Sequence, residues 1–319
     1  MYNIGIIKFG AVINENSFKN EGSNNEIINF IDIMSKKHNV FIISSLAKNS
    51  RFKKYDGEKL DIIFAYNGIW STTNTTKFGG KTLNCFEKYT YQSIEFINKC
   101  KTPWVFFNSD IRYKLSTPSE LKRMPNYHIG LYSNDKMCYE HFDKIHCYNH
   151  KTYYGYQKDI QIGIIMNDTN KKRTDKLRKF LLWNDMYKWD IKGKYKEQIK
   201  NNTGTLLENE IGDYLKQVKY TLLIANEPLS TTQKLWECIS KDVVCFLYDY
   251  DNQYNNISNE SFLRVKDEID FETKIAICEK DENLLKITLE YQRSLLKESY
   301  IDGSFILNHY TELIKKIIC

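Results

Sequence analysis

Residues 26–43, EIINFIDIMSKKHNVFII, place a helical pattern directly before a strand. Apolar side chains recur at helical spacing from Ile27 to Met34, which predicts a helix over residues 26–37. Residues 40–43, Val-Phe-Ile-Ile, are apolar and partly β-branched, which is typical of a buried strand. A helix followed by such a strand is the repeating unit of an α/β chain.

The same alternation continues on both sides of this stretch. In the first half, strands are predicted at residues 4–7, 40–43, 60–65 and 104–107, with helices at 26–37 and about 83–97. In the second half, strands are predicted at 160–166, 187–191, 220–224 and 243–247, with helices at 174–183, 208–218, 231–240, 282–298 and 305–318. Apolar strands separated by helices indicate parallel sheets covered on both faces. The predicted fold class is therefore α/β.

The length and the restart of the pattern predict two domains. A chain of 319 residues suggests two domains of roughly 150 residues each. We expect the first at residues 1–155 and the second at 156–299, with a helix at about 300–319 that packs back on the first. Open parallel sheets bind ligands beyond the carboxyl ends of their strands, so we expect a site in the loops there, in a cleft between the domains.

Composition and charge narrow the class of protein. The chain is 42% hydrophobic, has 4 prolines and carries a net charge of +6, which is compatible with a polyanionic partner. Its 8 cysteines include no Cys-x-x-Cys pair, which favours reduced thiols in a cytoplasmic protein. No signal-peptide pattern and no apolar run of about 18 residues occurs, so we expect a soluble protein without membrane contact.

Two segments of the first half could carry chemistry. Asp110 follows the strand at 104–107 and could accept a proton from an attacking hydroxyl, although a helix cap or an ion pair with Arg112 would also explain it. The segment Phe78-Gly79-Gly80-Lys81 closes a polar loop. Its glycines would let the backbone approach a ligand, with the ring stacked on a base and the lysine on a phosphate. An ordinary loop that leads into a helix is the alternative.

Two further segments of the second half could hold an anion. Cations cluster at the beginning of its first helix: Lys171, Lys172, Arg173, Lys176, Arg178 and Lys179. Cations there oppose the helix dipole, so either a bound diphosphate or a solvated basic face explains them. Lys234 and Glu237 lie three apart at the start of a later helix. They could form an ion pair, or they could hold the phosphate and the ribose hydroxyls of a nucleotide.

No metal site is predicted. The segment Asp249-Tyr250-Asp251 is similar to the Asp-x-Asp metal motif of single-domain sugar transferases, but it comes late, after the fourth strand of the second half. His141, His146 and His150 match no metal-ligand spacing, so surface or core histidines are the better interpretation.

Taken together, these segments resemble the DNA β-glucosyltransferases of T-even bacteriophages, which are GT-B enzymes built from two Rossmann-like domains with an inter-domain cleft. The resemblance extends from the first strand to the helix near Glu298, at low identity. It rests on residues 78–81, on Asp110-Ile111-Arg112, and on Lys234 with Trp236-Glu237. It implies a monomer that takes glucose from UDP-glucose and attaches it, with inversion, to 5-hydroxymethylcytosine flipped out of double-stranded DNA.

The resemblance also implies roles for single residues. Asp110 matches the catalytic carboxylate, and Glu26 matches an acidic residue at the sugar end of the site. The acceptor side is expected in residues 1–155, with DNA contacts at Phe78, Gly79, Gly80, Lys81 and Arg112. The donor side is expected in residues 156–299, with UDP contacts at Asn167, Lys171, Arg173, Leu206, Lys234 and Glu237. A divalent cation, Mg²⁺ or Mn²⁺, could assist the release of UDP, but no ligand set for it can be read in the sequence.

The chain departs from the family at the donor. Lys234 stands where the family has arginine, which keeps the charge but loses the bidentate fork. The family's Gly-Ser-x-Arg segment reads Met166-Asn167-Asp168-Thr169 here, so one phosphate-binding arginine is missing, and Lys171 or Lys172 could replace it. Two alternatives remain: a GT-B glycosyltransferase that acts on a glycan or lipid acceptor, and a non-catalytic DNA-binding relative with a decayed donor site.

Overall fold

The computed structural model describes residues 1–9, 13, 26–44, 46, 48–66, 92–108, 121–130, 143–155, 158–166, 171–183, 187–195, 199, 201–207, 210–224, 233–248, 257–258 and 261–319. The chain divides into two compact units. The first comprises Met1–Lys19, Asn25–Ile145 and Gly303–Cys319, and the second comprises mainly His146–Asp302. The C-terminal segment from Gly303 is part of the first unit.

Helices and strands alternate along both units. The described strands are β1 (Asn3–Lys8), β2 (Asn39–Ile42), β3 (Lys53–Lys54), β4 (Ile62–Tyr66), β5 (Trp104–Asn108), β6 (Tyr127–Gly130), β7 (Ile160–Ile165), β8 (Trp189–Lys192), β9 (Val218–Ile224), β10 (Val244–Tyr248) and β11 (Arg264–Val265). The described helices are α1 (Glu26–Ser35), α2 (Lys171–Trp183), α3 (Ile211–Gln217), α4 (Gln233–Ser240), α5 (Glu268–Lys280), α6 (Glu282–Leu295), α7 (Glu298–Ile301) and α8 (Ser304–Ile318). Residues 92–99 are also helical, and Asp143–Cys147 forms a 3₁₀ turn.

Both sheets are parallel throughout the described residues. The first has the strand order β3-β2-β1-β4-β5-β6, and the second has the order β11-β10-β9-β7-β8. These are the two common orders of doubly wound α/β sheets. Each has one switch point, where the order reverses: between β1 and β4 in the first sheet, and between β7 and β9 in the second. The predicted α/β class with parallel sheets is confirmed.

The first unit packs α1 and α8 on the same face of its sheet. Phe30 of α1 meets Phe64 of β4 and Tyr310 of α8, with ring centroids 5.1 Å apart in both pairs. The opposite face has its own buried cluster, which includes Ile7, Phe9 and Phe106 among others. The alternation of these residues along each strand explains why the strands are apolar on both faces.

The helix α5 packs against the core of the second unit, and the sequence pattern did not predict it. Its Phe271 lies edge-on to Phe180 of α2 at 5.7 Å and to Phe246 of β10 at 5.4 Å. The buried stripe of α5 was obscured because Ile269 and Ile277, on the same helix, are 57% and 39% exposed. Their apolar side chains blur the helical periodicity that sequence reasoning relies on.

A buried glutamine of α6 completes the edge of β10. β11 pairs only with Leu247 and Tyr248, so the beginning of β10 has no strand on that side within the described residues. The Gln292 side chain, 1% exposed, takes that place: its Oε1 accepts from the Cys245 N–H at 2.7 Å, and its Nε2 donates to the Val243 carbonyl at 2.9 Å.

Replacing Gln292 with leucine is therefore expected to destabilise the protein strongly. It leaves the buried Cys245 N–H unpaired and leaves the Val243 carbonyl with only the weak Cys245 thiol donor at 3.2 Å, so the free energy of unfolding should fall by roughly 1–4 kcal/mol. Urea denaturation followed by circular dichroism measures this. Tyr291→Leu, at a neighbouring exposed position, is the control and should change stability by less than about 0.5 kcal/mol. A Gln292→Leu protein as stable as the control would contradict this account.

Two buried histidines make the second unit sensitive to acid. Burial, together with the charge of His150, lowers the pKa of His146 to about 4, and burial, together with the charge of Lys241, lowers that of His150 to about 4. The unfolded chain takes up protons as the pH falls through 6.5, whereas the folded protein does so only near pH 4. The stabilisation that comes from keeping these two histidines neutral is therefore fully present above pH 6.5, and it is lost as the pH falls from 6.5 to 4.

The expected loss at pH 5 is about 2 kcal/mol for each histidine. Urea unfolding at pH 7.5 and pH 5 measures it in the wild type and in the His146→Gln/His150→Gln double variant. The variant should lose about 4 kcal/mol less than the wild type over this interval, whatever its stability at pH 7.5. Equal losses in the two proteins would show that other groups cause the acid sensitivity.

Candidate active site

The switch point of the second sheet gathers polar residues from two helices. α2 follows β7 and α4 follows β9, and these two strands are neighbours. The beginnings of both helices therefore lie beyond the carboxyl ends of adjacent strands, the position at which open α/β sheets bind ligands. Helix beginnings present backbone N–H groups and attract anions.

Lys234 lies at the centre of this position. Its Nζ donates a hydrogen bond to the carbonyl of Ile165, the last residue of β7. Burial and the charge of Arg173 lower the pKa of Lys234 to about 8, and the carboxylate of Glu237 opposes both effects. The three charged side chains are thus close enough to influence one another.

Two further charged residues lie near Lys234: Arg173 on α2 and Glu237 on α4. Arg173 lies in the first turn of α2, which has no acidic residue there. Glu237 lies one turn after Lys234 on α4 and is 8% exposed. Two cations at the beginnings of two helices form a group of the kind that binds an anion, and a buried carboxylate lies beside them.

The loop after β8 approaches the same edge of the sheet. The Thr203 N–H donates to the Ile191 carbonyl at 3.0 Å, and the Gly193 N–H donates to the Gly204 carbonyl at 2.7 Å. Leu206 follows in this loop and is half-buried. Gly193 has no room for a side chain, because a Cβ there would lie 1.8 Å from the Met166 carbonyl oxygen at the end of β7.

The carboxyl edge of the first sheet carries Glu26. This residue begins α1, where the helix dipole favours a carboxylate. Burial lowers the pKa of Lys8, the last residue of β1, and the charge of Glu26 opposes this shift. Burial raises the pKa of Tyr66, the last residue of β4, and the charges of Tyr310 and Glu26 raise it further. Sequence reasoning missed Lys8 and Tyr66, although a polar residue that ends an apolar strand was a readable signal.

Several predicted site residues lie outside the described residues. These are Asp110, Phe78, Gly79, Gly80, Lys81, Arg112 and Asn167. Lys171 begins α2, but its side chain is not described. Of the predicted UDP contacts, the structure thus brings Arg173, Lys234 and Glu237 together and places Leu206 on a loop at the same sheet edge.

The described residues contain no group of three or more His, Cys, Asp or Glu side chains arranged to hold a metal ion. Asp249, Asp251 and His141 lie outside them. The cysteines within the described part are free thiols, of which Cys147, Cys238, Cys245 and Cys278 are buried. None of the described helices is long and apolar enough to span a bilayer.

Comparison with known proteins identifies the fold. No protein-family model matches the sequence, and no curated protein matches it. Solved structures match over nearly the whole chain. The DNA-modifying enzyme β-glucosyltransferase, solved with and without its substrate uridine diphosphoglucose, has a TM-score of 0.73 at 19% identity and covers 99% of both chains.

The chain has the GT-B fold. A structure of the T4 phage β-glucosyltransferase with UDP and Mn²⁺ has a TM-score of 0.69 at 18% identity, again over 99% of both chains. Sucrose-phosphate synthase from Thermosynechococcus elongatus has a TM-score of 0.54 at 7% identity, over 99% of both chains. The predicted GT-B architecture is confirmed, and the two sheets described above are its two Rossmann-like halves.

Proposed function

We propose that this GT-B protein is an inverting glycosyltransferase that moves glucose from UDP-glucose to the hydroxymethyl group of a modified pyrimidine in DNA. The observation that carries the proposal is the group formed by Arg173, Lys234 and Glu237 at the switch point of the second sheet. A diphosphate complements the two cations and the two helix beginnings. A ribose diol complements a buried carboxylate, which can accept two hydroxyl hydrogen bonds.

The choice of donor and acceptor is supported by the likeness to solved enzymes. Those structures are of a DNA-modifying β-glucosyltransferase whose substrate is uridine diphosphoglucose, and one of them holds UDP. The net charge of +6 suits a DNA partner. In the proposed complex, residues 78–81 and Arg112 contact double-stranded DNA, and the target base is flipped out of the stack. The protein acts as a monomer.

In the proposed reaction, Asp110 accepts the proton of the acceptor hydroxyl. The hydroxyl oxygen forms a bond to the anomeric carbon while the bond from that carbon to the phosphate oxygen breaks, so the configuration inverts. UDP leaves with the electron pair, and Arg173 and Lys234 stabilise the charge that develops on the diphosphate. The Mn²⁺ in a solved structure of the same fold supports a divalent cation that helps UDP leave, and no cluster of His, Cys, Asp or Glu within the described residues is arranged to hold it.

Mass spectrometry of nucleosides tests the proposal. The protein is incubated with UDP-glucose, UDP-galactose or UDP-N-acetylglucosamine and with DNA that contains cytosine, 5-hydroxymethylcytosine or 5-hydroxymethyluracil. We expect a hexose mass added to a hydroxymethylated pyrimidine and none added to cytosine. Transfer to a glycan or lipid with none to any DNA would favour another acceptor class, and failure to bind UDP in calorimetry would favour a non-catalytic DNA-binding protein.

A further inference from the structure

A second polar group lies at the switch point of the first sheet. Lys8 and Tyr66 end β1 and β4 and are register partners in the sheet. Neighbouring strands lie about 4.8 Å apart, so register partners place their side chains side by side on one face. That face is the one covered by α1, because Phe64, on the same side of β4 as Tyr66, packs against Phe30. Both side chains therefore lie where α1 begins.

Glu26 adds the third member of this group. It is the first residue of α1, and its charge acts on both strand ends. Burial lowers the pKa of Lys8, and Glu26 raises it; burial raises the pKa of Tyr66, and Tyr310 and Glu26 raise it further. One ammonium, one carboxylate and one phenol thus share the corner at which this sheet would bind a ligand.

The Tyr66 hydroxyl makes no hydrogen bond to the described residues. The side chain is 1% exposed, and its oxygen has no hydrogen-bond partner there. The ring itself is well held, stacked on Phe107 with centroids 4.5 Å apart and planes 3° apart. Buried hydroxyls are normally hydrogen-bonded, and within the described residues this one is available to a ligand group that reaches it.

The Lys8 side chain is likewise not needed to hold its strand. The Lys8 N–H donates to the Ser44 hydroxyl at 2.6 Å, and that hydroxyl lies 3.1 Å from the Lys8 carbonyl oxygen. These bonds involve only the Lys8 backbone, so a substitution at this position keeps them. The half-buried ammonium is left to act on Glu26.

We propose that Tyr66 and Lys8 complete a sugar-binding site with Glu26. The Tyr66 hydroxyl donates to one sugar hydroxyl, and the Glu26 carboxylate accepts from a neighbouring one. Lys8 is a positioning residue that orients this carboxylate. Because the ammonium and the carboxylate cancel, the site takes a neutral hexose rather than a uronic acid. This inference rests on the proposed function and names the residues that select its sugar.

Calorimetry with UDP and UDP-glucose tests the inference in Tyr66→Phe, Lys8→Met and Lys8→Arg proteins. Tyr66→Phe removes only the hydroxyl and keeps the stacked ring. We expect Tyr66→Phe and Lys8→Met to weaken UDP-glucose binding about tenfold, which corresponds to about 1.4 kcal/mol, and to change UDP binding less than twofold. Lys8→Arg should restore most of the UDP-glucose affinity. UDP-glucuronic acid should bind the wild type more weakly than UDP-glucose.

Each outcome is decisive. If Tyr66→Phe and Lys8→Met bind UDP-glucose as the wild type does, with UDP binding intact, the sugar site is wrong and the proposed function stands. If Lys8→Arg is as impaired as Lys8→Met, the positioning role of Lys8 is wrong. If the wild type binds no UDP, the proposed function fails, and this inference fails with it. Urea denaturation of each variant confirms that it is folded.

Discussion

Replacing Asp110 with asparagine is expected to lower the rate of sugar transfer by roughly 10²–10⁴-fold, the usual contribution of a positioned general base. Asparagine has nearly the same size but cannot accept the proton of the attacking hydroxyl. It caps a helix about as well as aspartate does, so a residue that only capped a helix would tolerate the change. The measurement is the single-turnover rate of nucleoside glucosylation under saturating UDP-glucose and DNA.

Binding measurements separate loss of chemistry from loss of structure. The Asp110→Asn protein should bind UDP with unchanged affinity, because the proposed UDP contacts all lie in the second unit. Asp56→Asn, an exposed position on the first unit, is the matched control and should transfer sugar at the wild-type rate. Near-normal transfer by Asp110→Asn would remove this residue from the mechanism. An ion pair with Arg112 would instead be lost with a change in stability and little change in the rate.

The fold could be predicted from the sequence because its strands are buried on both faces. The apolar runs at β1, β2, β4, β5, β7, β9 and β10 stand out without any alternation to interpret, and the structure confirms them. The strands β3, β6 and β11 were not predicted. β3 is Lys53–Lys54, an exposed edge strand with no apolar residue, and β6 contains a histidine within four residues. An edge strand is stabilised by pairing with one neighbouring strand, and the local sequence pattern does not show that pairing.

The candidate site could likewise be predicted only in part. Arg173, Lys234 and Glu237 could be selected from the sequence because charges at helix beginnings after strands are a local pattern. What the sequence could not show is that Arg173, on one helix, acts on Lys234, on another, since this depends on β7 and β9 being neighbours. Lys8 and Tyr66 were missed for the same reason: they become one site only through the pairing of β1 with β4.

The substitution of lysine for the family's arginine should make nucleotide binding depend on pH. Burial and Arg173 lower the pKa of Lys234 to about 8, so in the free protein the ammonium loses its proton near that pH. A bound diphosphate favours the charged form, so the protonated protein binds UDP more tightly. Affinity for UDP should therefore fall about tenfold between pH 7 and pH 9.

Calorimetric titration with UDP across this pH range tests the effect, with uridine as the matched ligand that lacks the diphosphate. Lys234→Arg should abolish the pH dependence, because arginine stays charged throughout the range. Lys234→Met should bind UDP weakly at every pH, and binding of uridine should not change with pH in any of the proteins. Constant UDP affinity in the wild type from pH 7 to pH 9 would mean that Lys234 stays charged in the free protein. The charges of Arg173 and Lys234 would then both be present at every working pH, and the lysine would differ from arginine only in geometry.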